Sequence, residues 1–232
     1  MIYNILATGS AGNAVILDDR LLVDCGVPYK TIEPFKRDLR VVFLTHTHGD
    51  HFNAATIRRL AHDRPSLRFA CCEWMVLALY EAGVSATQID VFKPDGWASY
   101  YVDGLSVYAS PVALTHNVQN CGWKISTQAG TVFYATDTGT LDGIEAKNYD
   151  LYLVEANHTR AEIEARLAEK EAQGVFAYER KAAENHLSFE QTVDWLTQNM
   201  GPDSVWVPMH GHIVKEGGAD HAGAPNAGEN DY

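Results

Sequence analysis

The sequence predicts an α/β fold in which stacked β-sheets are flanked by helices, and three observations support this class. Short apolar runs recur along the chain and are typical of buried strands. Stretches with helical periodicity lie between some of these runs. Strands come first in the chain, and mixed strands and helices follow. This order favours layered sheets with helices on the outside.

The predicted elements can be placed directly on the sequence. The apolar runs predict strands at Tyr3–Ala7, Ala14–Leu17, Leu21–Val23, Val41–Leu44, Leu67–Ala70, Leu105–Ala109, Thr131–Ala135, Leu151–Val154 and Val205–Val207. The helical patterns predict helices near Ala54–His62, Glu73–Ala82, Arg160–Glu171 and Ser188–Gln198. Asp18 and Asp19 indicate a turn between two early strands. The glycine-rich segment Thr8–Asn13 is interpreted as a hairpin turn, because it lacks the lysine of a phosphate-binding P-loop.

Length and composition limit the domain organisation. The chain has 232 residues, 46% apolar and 21% charged, which allows a buried core and excludes disorder throughout. We expect one domain over residues 1–215 and a flexible tail over residues 216–232, because the tail has little to bury. We find no apolar run of membrane-spanning length and no signal-peptide pattern, so we expect a soluble, cytoplasmic protein.

Charge and cysteine content narrow the function classes. The net charge is −12, from 18 Lys+Arg and 30 Asp+Glu, which argues against a broad basic face for nucleic acid. A local basic rim or a bound metal remains compatible with this charge. Cys25, Cys71, Cys72 and Cys121 form no CxxC pair, which fits a reducing compartment. We expect all four to be buried.

The most informative segment directly follows the predicted strand Val41–Leu44. It reads Thr-His-Thr-His-Gly-Asp-His and ends at His51. Crowding imidazoles and a carboxylate together is costly unless a cation satisfies them, and these donors suit zinc and its neighbours. Residues two apart on an extended segment point the same way, so His46 and His48 can share one ion. Asp50 and His51 can reach a second.

This HxHxDH run is the signature of the metallo-β-lactamase superfamily, which the chain resembles in order over roughly residues 4–213. The resemblance implies an αββα sandwich of two mixed β-sheets flanked by helices. It also implies one metal on His46, His48 and His116 and another on Asp50, His51 and His210, with Asp137 between them. His212 is the alternative to His210 as the last ligand.

Within the superfamily, the chain is most similar to the small WalJ/YycJ-like group, whose catalytic core resembles ribonuclease Z. The similar segments are Thr8–Asn13, Glu155–His158 and Asn185–Ser188, with Asn185 replacing the usual glycine. In ribonuclease Z the matching histidine pairs with a glutamate and helps protonate the leaving group. The resemblance therefore implies a His186–Glu155 pair. His158 is open to two interpretations, support of the metal site or a solvated helix cap.

The function implied by this resemblance is a dinuclear metal-dependent hydrolase. We expect a phosphodiesterase or nuclease, of a DNA exonuclease or RNA-processing type, that uses a metal-bridging hydroxide. The implied catalytic residues are Asp50, Glu155 and His186, and the expected metal is Zn²⁺, with Mn²⁺ or Fe²⁺ also compatible. The alternatives are hydrolysis of a small ester, thioester or lactone, and a non-catalytic metal-binding protein.

Nucleic acid is the partner that this function implies, and the sequence leaves the oligomeric state open. Six basic residues form a candidate rim for such a substrate: Arg58, Arg59, Arg64, Arg68, Arg180 and Lys181. A solvated helix face with paired charges is the alternative interpretation of these residues.

Overall fold

The computed structural model describes residues 1–102, 104–173 and 183–211, which form two six-stranded mixed sheets. The first sheet has the order β1 (Tyr3–Ala7), β2 (Ala14–Leu17), β3 (Leu21–Val23), β4 (Val41–Phe43), β5 (Arg68–Cys72) and β6 (Ile89–Phe92). The second has the order β12 (Val205–Met209), β11 (Leu151–Glu155), β10 (Gly130–Ala135), β9 (Asn120–Thr127), β8 (Leu105–Leu114) and β7 (Ala98–Val102). Both sheets combine parallel and antiparallel pairs.

The helices lie between these strands in sequence. They are α1 (Tyr29–Ile32), α2 (Ala54–Asp63), α3 (Val76–Glu81), α4 (Arg160–Gln173) and α5 (Phe189–Asn199), with 3₁₀ turns at Glu73–Met75 and Ala86–Gln88. Among the described residues, none of these helices has the length and apolar character of a membrane span. The domain end predicted at residue 215 and the tail 216–232 lie outside the described residues.

Three clusters of buried apolar residues fill the spaces between the layers of the fold. One lies between the sheets and contains Phe43 and Trp123, while another packs the opposite face of β4, through Val42, against α1–α3. The third packs the second sheet against α5 through Phe133 and Leu196. Successive residues of β4 point to different clusters because strand side chains alternate. The predicted sandwich of two sheets flanked by helices is confirmed.

The strand predictions were incomplete in the middle of the chain. The nine predicted strands are present, but β6, β7 and β9 were missed and β8 extends beyond its predicted end at Ala109. In β9, Gly122 and Lys124 interrupt the apolar pattern, although the strand lies inside the second sheet. Pairing with two neighbours stabilises such a strand where its own sequence gives a weak signal.

The sheet topology creates a single polar edge. Strands β3, β4 and β5 are parallel, and so are β10, β11 and β12. The carboxyl ends of parallel strands meet at one edge of a sheet, where open α/β folds commonly place their sites. His46, Asp137 and His210 follow the ends of β4, β10 and β12, and Glu155 is the last residue of β11, which brings distant parts of the chain together.

Candidate metal centre

The three histidines predicted for one ion lie together. The Nε2 of His46 is 3.2 Å from the Nδ1 of His48, and the Nε2 of His116 is 3.4 Å from the same atom. The three side chains offer ligand atoms that all lie within 4.8 Å of one another. His46 is fully buried, whereas the other two are partly accessible. This group can hold one divalent ion.

The second predicted group, Asp50, His51 and His210, also converges. The Nε2 of His51 lies 3.7 Å from Asp50 Oδ2, and the Nε2 of His210 lies 3.5 Å from the same oxygen. Asp137 sits against both histidines, with Oδ2 2.6 Å from His51 Nε2 and Oδ1 3.6 Å from His210 Nε2. His46, His51 and Asp137 form a further possible ligand group. Asp137 is therefore shared between the two predicted sites. His212 lies outside the described residues.

The residues present fit a divalent cation. The Oδ2 of Asp137 is buried and makes no hydrogen bond, although it lies 2.6 Å from His51 Nε2. The Nδ1 of His51 faces the carboxylate of Asp24 at 2.7 Å, so in the neutral ring this nitrogen carries the proton. The Nε2 lone pair then faces a carboxylate oxygen, and a cation would satisfy both atoms.

The pKa values of the histidines reflect the same electrostatics. Burial lowers the pKa of His51, but Asp24 and Asp137 outweigh it and raise the pKa to about 10. Burial likewise lowers the pKa of His210, but hydrogen bonds to Asp50 and Glu155 raise it to about 10. In His46, burial and the charge of His51 lower the pKa to about 2. Without a bound cation, protons on His51 and His210 therefore balance the carboxylates.

Sequence reasoning missed Asp24, whose carboxylate contacts the ring of His51. Its buried carboxylate accepts hydrogen bonds from Thr45 N (3.1 Å), Thr45 Oγ1 (2.9 Å) and Tyr134 OH (2.9 Å), besides facing His51. These contacts fix the carboxylate and, through it, the His51 ring. A usable signal existed, because Asp24 directly follows the apolar strand β3 as the HxHxDH run follows β4.

Asn13 was also missed, because its segment was interpreted only as a turn. Its Nδ2 lies 2.8 Å from His51 Nε2 and 3.2 Å from the Asp50 carbonyl oxygen. The glycines of the turn, Gly9 and Gly12, do have the positive φ that the hairpin interpretation requires. The turn thus exists as predicted, and it also contacts the centre.

Gly26 makes the close packing beneath the HxHxDH loop possible. A Cβ atom at this position would lie 1.7 Å from the carbonyl oxygen of Asp50. Only glycine therefore allows the two backbone segments to approach this closely.

Three site residues share an unusual backbone conformation. Asp24, Asp137 and His210 have φ of 58°, 57° and 53°, a region that non-glycine residues rarely adopt. Each follows a strand, and surrounding contacts hold the conformation. At Asp137, the side-chain amide of Asn120 donates to the carbonyl oxygens of Thr136 (3.0 Å) and Asp137 (2.7 Å).

His186 and Glu155 form the pair that the resemblance implied. The Nδ1 of His186 is 2.6 Å from Glu155 Oε1 and 3.5 Å from Asp137 Oδ1. Glu155 is fully buried, and its other oxygen accepts from the amides of Thr138 (3.1 Å) and Leu187 (3.4 Å). The carboxylate is thus held in one orientation, with the His186 ring beside the centre.

The segments around this pair orient further ligands. Asn185 stands where the similar family segment usually has glycine. Its backbone carbonyl oxygen lies 3.2 Å from His116 Nδ1, so this residue contacts the site through its backbone. Asn157 Nδ2 donates to the His210 carbonyl oxygen at 2.9 Å. His158 is buried, with Nδ1 3.4 Å from Asn157 Oδ1, and its carbonyl accepts from Phe189 N at 2.7 Å. Burial excludes the solvated role for His158.

The four arginines proposed as part of a basic rim are engaged elsewhere. Arg58 donates to the carbonyls of Ala82 and Glu81, and Arg59 lies over the Tyr29 ring at 3.9 Å. Arg64 donates to the carbonyls of Lys36 and Leu39, and Arg68 pairs with Asp90. The alternative interpretation, a helix face with paired groups, fits these four better. Arg180 and Lys181 lie outside the described residues.

All four cysteines are free and buried, as predicted.

Comparisons with solved structures agree with this fold. Metallo-β-lactamase fold protein YhfI from Bacillus subtilis is 17% identical with a TM-score of 0.65, over 92% of this chain and 87% of that one. The short form of human tRNase Z is 14% identical with a TM-score of 0.64, over 91% and 92%. Zn²⁺-bound PqqB from Methylobacterium extorquens is 14% identical with a TM-score of 0.62, over 91% and 89%. These likenesses establish the fold.

Fold and site together define a metal-dependent hydrolase, an αββα sandwich with clustered histidines and carboxylates at its strand ends. The family pattern described as "Beta-lactamase superfamily domain" matches residues 19–210. The chain belongs to the metallo-β-lactamase superfamily, whose members are metal-dependent hydrolases. Among curated proteins, no sequence matches the chain.

Proposed function

We propose that the protein is a dinuclear metal-dependent phosphodiesterase that acts on nucleic acid. His46, His48 and His116 would hold one ion, Asp50, His51 and His210 would hold the other, and Asp137 lies against residues of both groups. Zn²⁺ is the expected metal, because imidazole and carboxylate donors suit it. The catalytic domain covers residues 1–215.

The observation that carries this proposal is the placement of His186. Its ring lies 3.5 Å from Asp137 and is held by Glu155 at 2.6 Å, so an oriented proton donor stands beside the centre. Cleavage of a phosphodiester expels an alkoxide-like oxygen, which needs a proton as it departs. A thiolate leaving group needs no such donor. The fold similarity to human tRNase Z supports a nucleic-acid substrate.

The proposed reaction needs both the metal ions and residues of the chain. Divalent ions bound here would supply Lewis acidity and a water of lowered pKa. In the imidazolium form of His186, Glu155 accepts the Nδ1–H, and the Nε2–H is the proton that passes to the departing oxygen and leaves a neutral ring. The His186 side chain is 18% exposed, so a bound substrate can reach it, while buried Glu155 is shielded from solvent.

The test is cleavage of end-labelled single- and double-stranded DNA and RNA by the purified protein, with Zn²⁺ and Mn²⁺ supplied separately. We expect cleavage that is lost in Asp50→Ala and retained in His62→Ala. His62 is the matched control because its side chain is 87% exposed, away from the centre. The product ladder distinguishes exonuclease from endonuclease action. Absence of cleavage under every condition would refute the proposal.

A second candidate function is hydrolysis of a small ester, thioester or lactone at the same centre. The net charge of −12 and the engaged arginines favour it, because neither feature attracts a polyanion. Turnover of lactones or generic esters without cleavage of any nucleic acid would establish this function instead.

A further inference from the structure

The turn between β1 and β2 forms part of the rim of the candidate centre. At its start, the Oγ1 of Thr8 accepts a hydrogen bond from His210 N at 2.8 Å. At its end, the Asn13 amide donates to the Asp50 carbonyl oxygen at 2.6 Å. His210 and Asp50 are proposed ligands of the same ion. The turn is therefore fastened at both ends to one side of the centre.

The tip of this turn presents two unused donors. Gly12 N donates to the Gly9 carbonyl at 2.9 Å, which closes a four-residue turn with Ser10 and Ala11 at its tip. The Gly9 amide is occupied by Asn13 Oδ1 at 2.9 Å. Ser10 and Ala11 are exposed, and within the described ranges neither amide has a hydrogen-bond acceptor. No atom lies within 4 Å of a Cβ placed on Gly9, so the space beside the tip is open.

A phosphodiester substrate needs hydrogen-bond donors, and within the described part of the chain the four arginines proposed as a rim do not supply them. The arginines that follow the HxHxDH run are all engaged with other groups. Consecutive peptide amides in a turn are an established way of binding an oxyanion without a cationic side chain. The Ser10 hydroxyl adds a third donor at the same tip.

From this geometry we infer that the amides of Ser10 and Ala11 bind the non-bridging oxygens of the substrate's phosphodiester. This subsite rests on the proposed function and extends it, because it identifies the element that recognises the phosphate. It lies on the Asp50–His210 side of the centre, and it selects an oxyanion rather than a base sequence.

The first test compares two proline substitutions in the zinc-loaded full chain. Ser10→Pro removes one amide and the hydroxyl at the second position of a turn, where proline is well accepted. Gln128→Pro is the matched control in the exposed β9–β10 turn, at the opposite end of β10 from Asp137. We expect Ser10→Pro to raise the inhibition constant of inorganic phosphate and the KM for bis(4-nitrophenyl) phosphate at least about tenfold, because one lost hydrogen bond to a charged group already has that effect and the variant lacks two donors.

Gln128→Pro should leave both constants within twofold of the unmodified protein. Equal constants in the two variants, with zinc content and Tm preserved, would overturn the inference and mean that phosphate contacts only the metal ions. The phosphodiesterase proposal would survive that result.

The second test does not depend on activity or on the folding of a variant. Inorganic phosphate is titrated into the ¹⁵N-labelled zinc-loaded protein, and the amide signals of Ser10, Ala11 and Gln128 are followed. We expect saturable shifts at Ser10 and Ala11 and none at Gln128. Unmoved Ser10 and Ala11 signals would refute the subsite. Shifts in a protein that cleaves no phosphodiester would keep the anion site and refute the proposed function alone.

Discussion

The two sheets contribute to the candidate centre in different ways. The first sheet supplies His46, His48, Asp50 and His51 from one loop after β4, braced by Asp24 after β3. The second sheet supplies isolated residues from separate strand ends: His116, Asp137, Glu155 and His210. The first contribution is local in sequence, and the second exists only because the strands are aligned. In the proposed function, metal binding therefore has its core in one loop, while the proton-donating pair is held at the edge of the second sheet by Glu155, with His186 directly before α5.

The largest expected effect tests the first-sheet loop. His51→Ala removes a buried imidazole that lies 2.6 Å from Asp137 and 2.7 Å from Asp24. We expect turnover to fall more than about 10³-fold and zinc content to drop, because two carboxylates lose their partner. Metal analysis and initial rates, with His62→Ala as control, would check this. Full zinc occupancy in His51→Ala would contradict the ligand assignment.

The second-sheet pair should behave differently. His186→Ala should lower turnover about 10²–10⁴-fold, the range for loss of a general acid, while zinc content stays unchanged. The comparison with His51→Ala then separates metal binding from proton donation. If His186→Ala loses metal instead, the assignments of ligand and acid are reversed, and the two sheets do not divide the work as described.

A smaller effect is expected at Asp24, which contacts His51 of the first-sheet loop. Asp24→Asn retains the shape of the side chain but removes the charge that faces His51 Nδ1. We expect zinc affinity to fall about 10–100-fold, the usual cost of losing a group that orients a ligand. Competition with a chromophoric chelator measures this affinity, and Asp19→Asn, in the β2–β3 turn, is the control. Unchanged affinity would show that Asp24 serves only the fold.

The smallest expected effect is the release of protons when a metal ion binds. His51 and His210 have a pKa of about 10 without a cation, so both rings are protonated at pH 7.5. An ion must displace these protons, so binding should release about two of them and become tighter as the pH rises towards 10. His46, with a lowered pKa, should release none. Calorimetric titration in buffers of different ionisation enthalpy counts the protons, and zero release would contradict these pKa shifts.

Much of the centre could be predicted because many of its predicted ligands lie close together in the sequence. Four predicted ligands lie within the run from His46 to His51, directly after an apolar strand. A crowded set of imidazoles and a carboxylate has few explanations besides a cation. His116, Asp137 and His210 came from the order of matches to a family, since each alone is an ordinary polar residue. The structure places all three beside the local run.

The supporting residues could not be predicted in the same way. Asp24 and Asn13 make their decisive contacts with His51, which is 27 and 38 positions away, and nothing in their local sequence specifies that partner. Strand β9 was missed because its stability comes from two neighbouring strands. The arginines after the HxHxDH run suggested a rim by sequence proximity, yet their partners are backbone carbonyls, a tyrosine ring and Asp90.

The sequence by itself determined the layered α/β class, the apolar alternation of the strands and the ligand-rich loop after β4. These depend on short-range periodicity and on residue chemistry, which a linear chain displays directly. The tertiary structure alone decided which carboxylate braces His51, how Glu155 holds His186, and that the β1–β2 turn borders the centre. Those relationships depend on strands being aligned at one edge, and this alignment is fixed by sheet pairing between residues far apart in sequence.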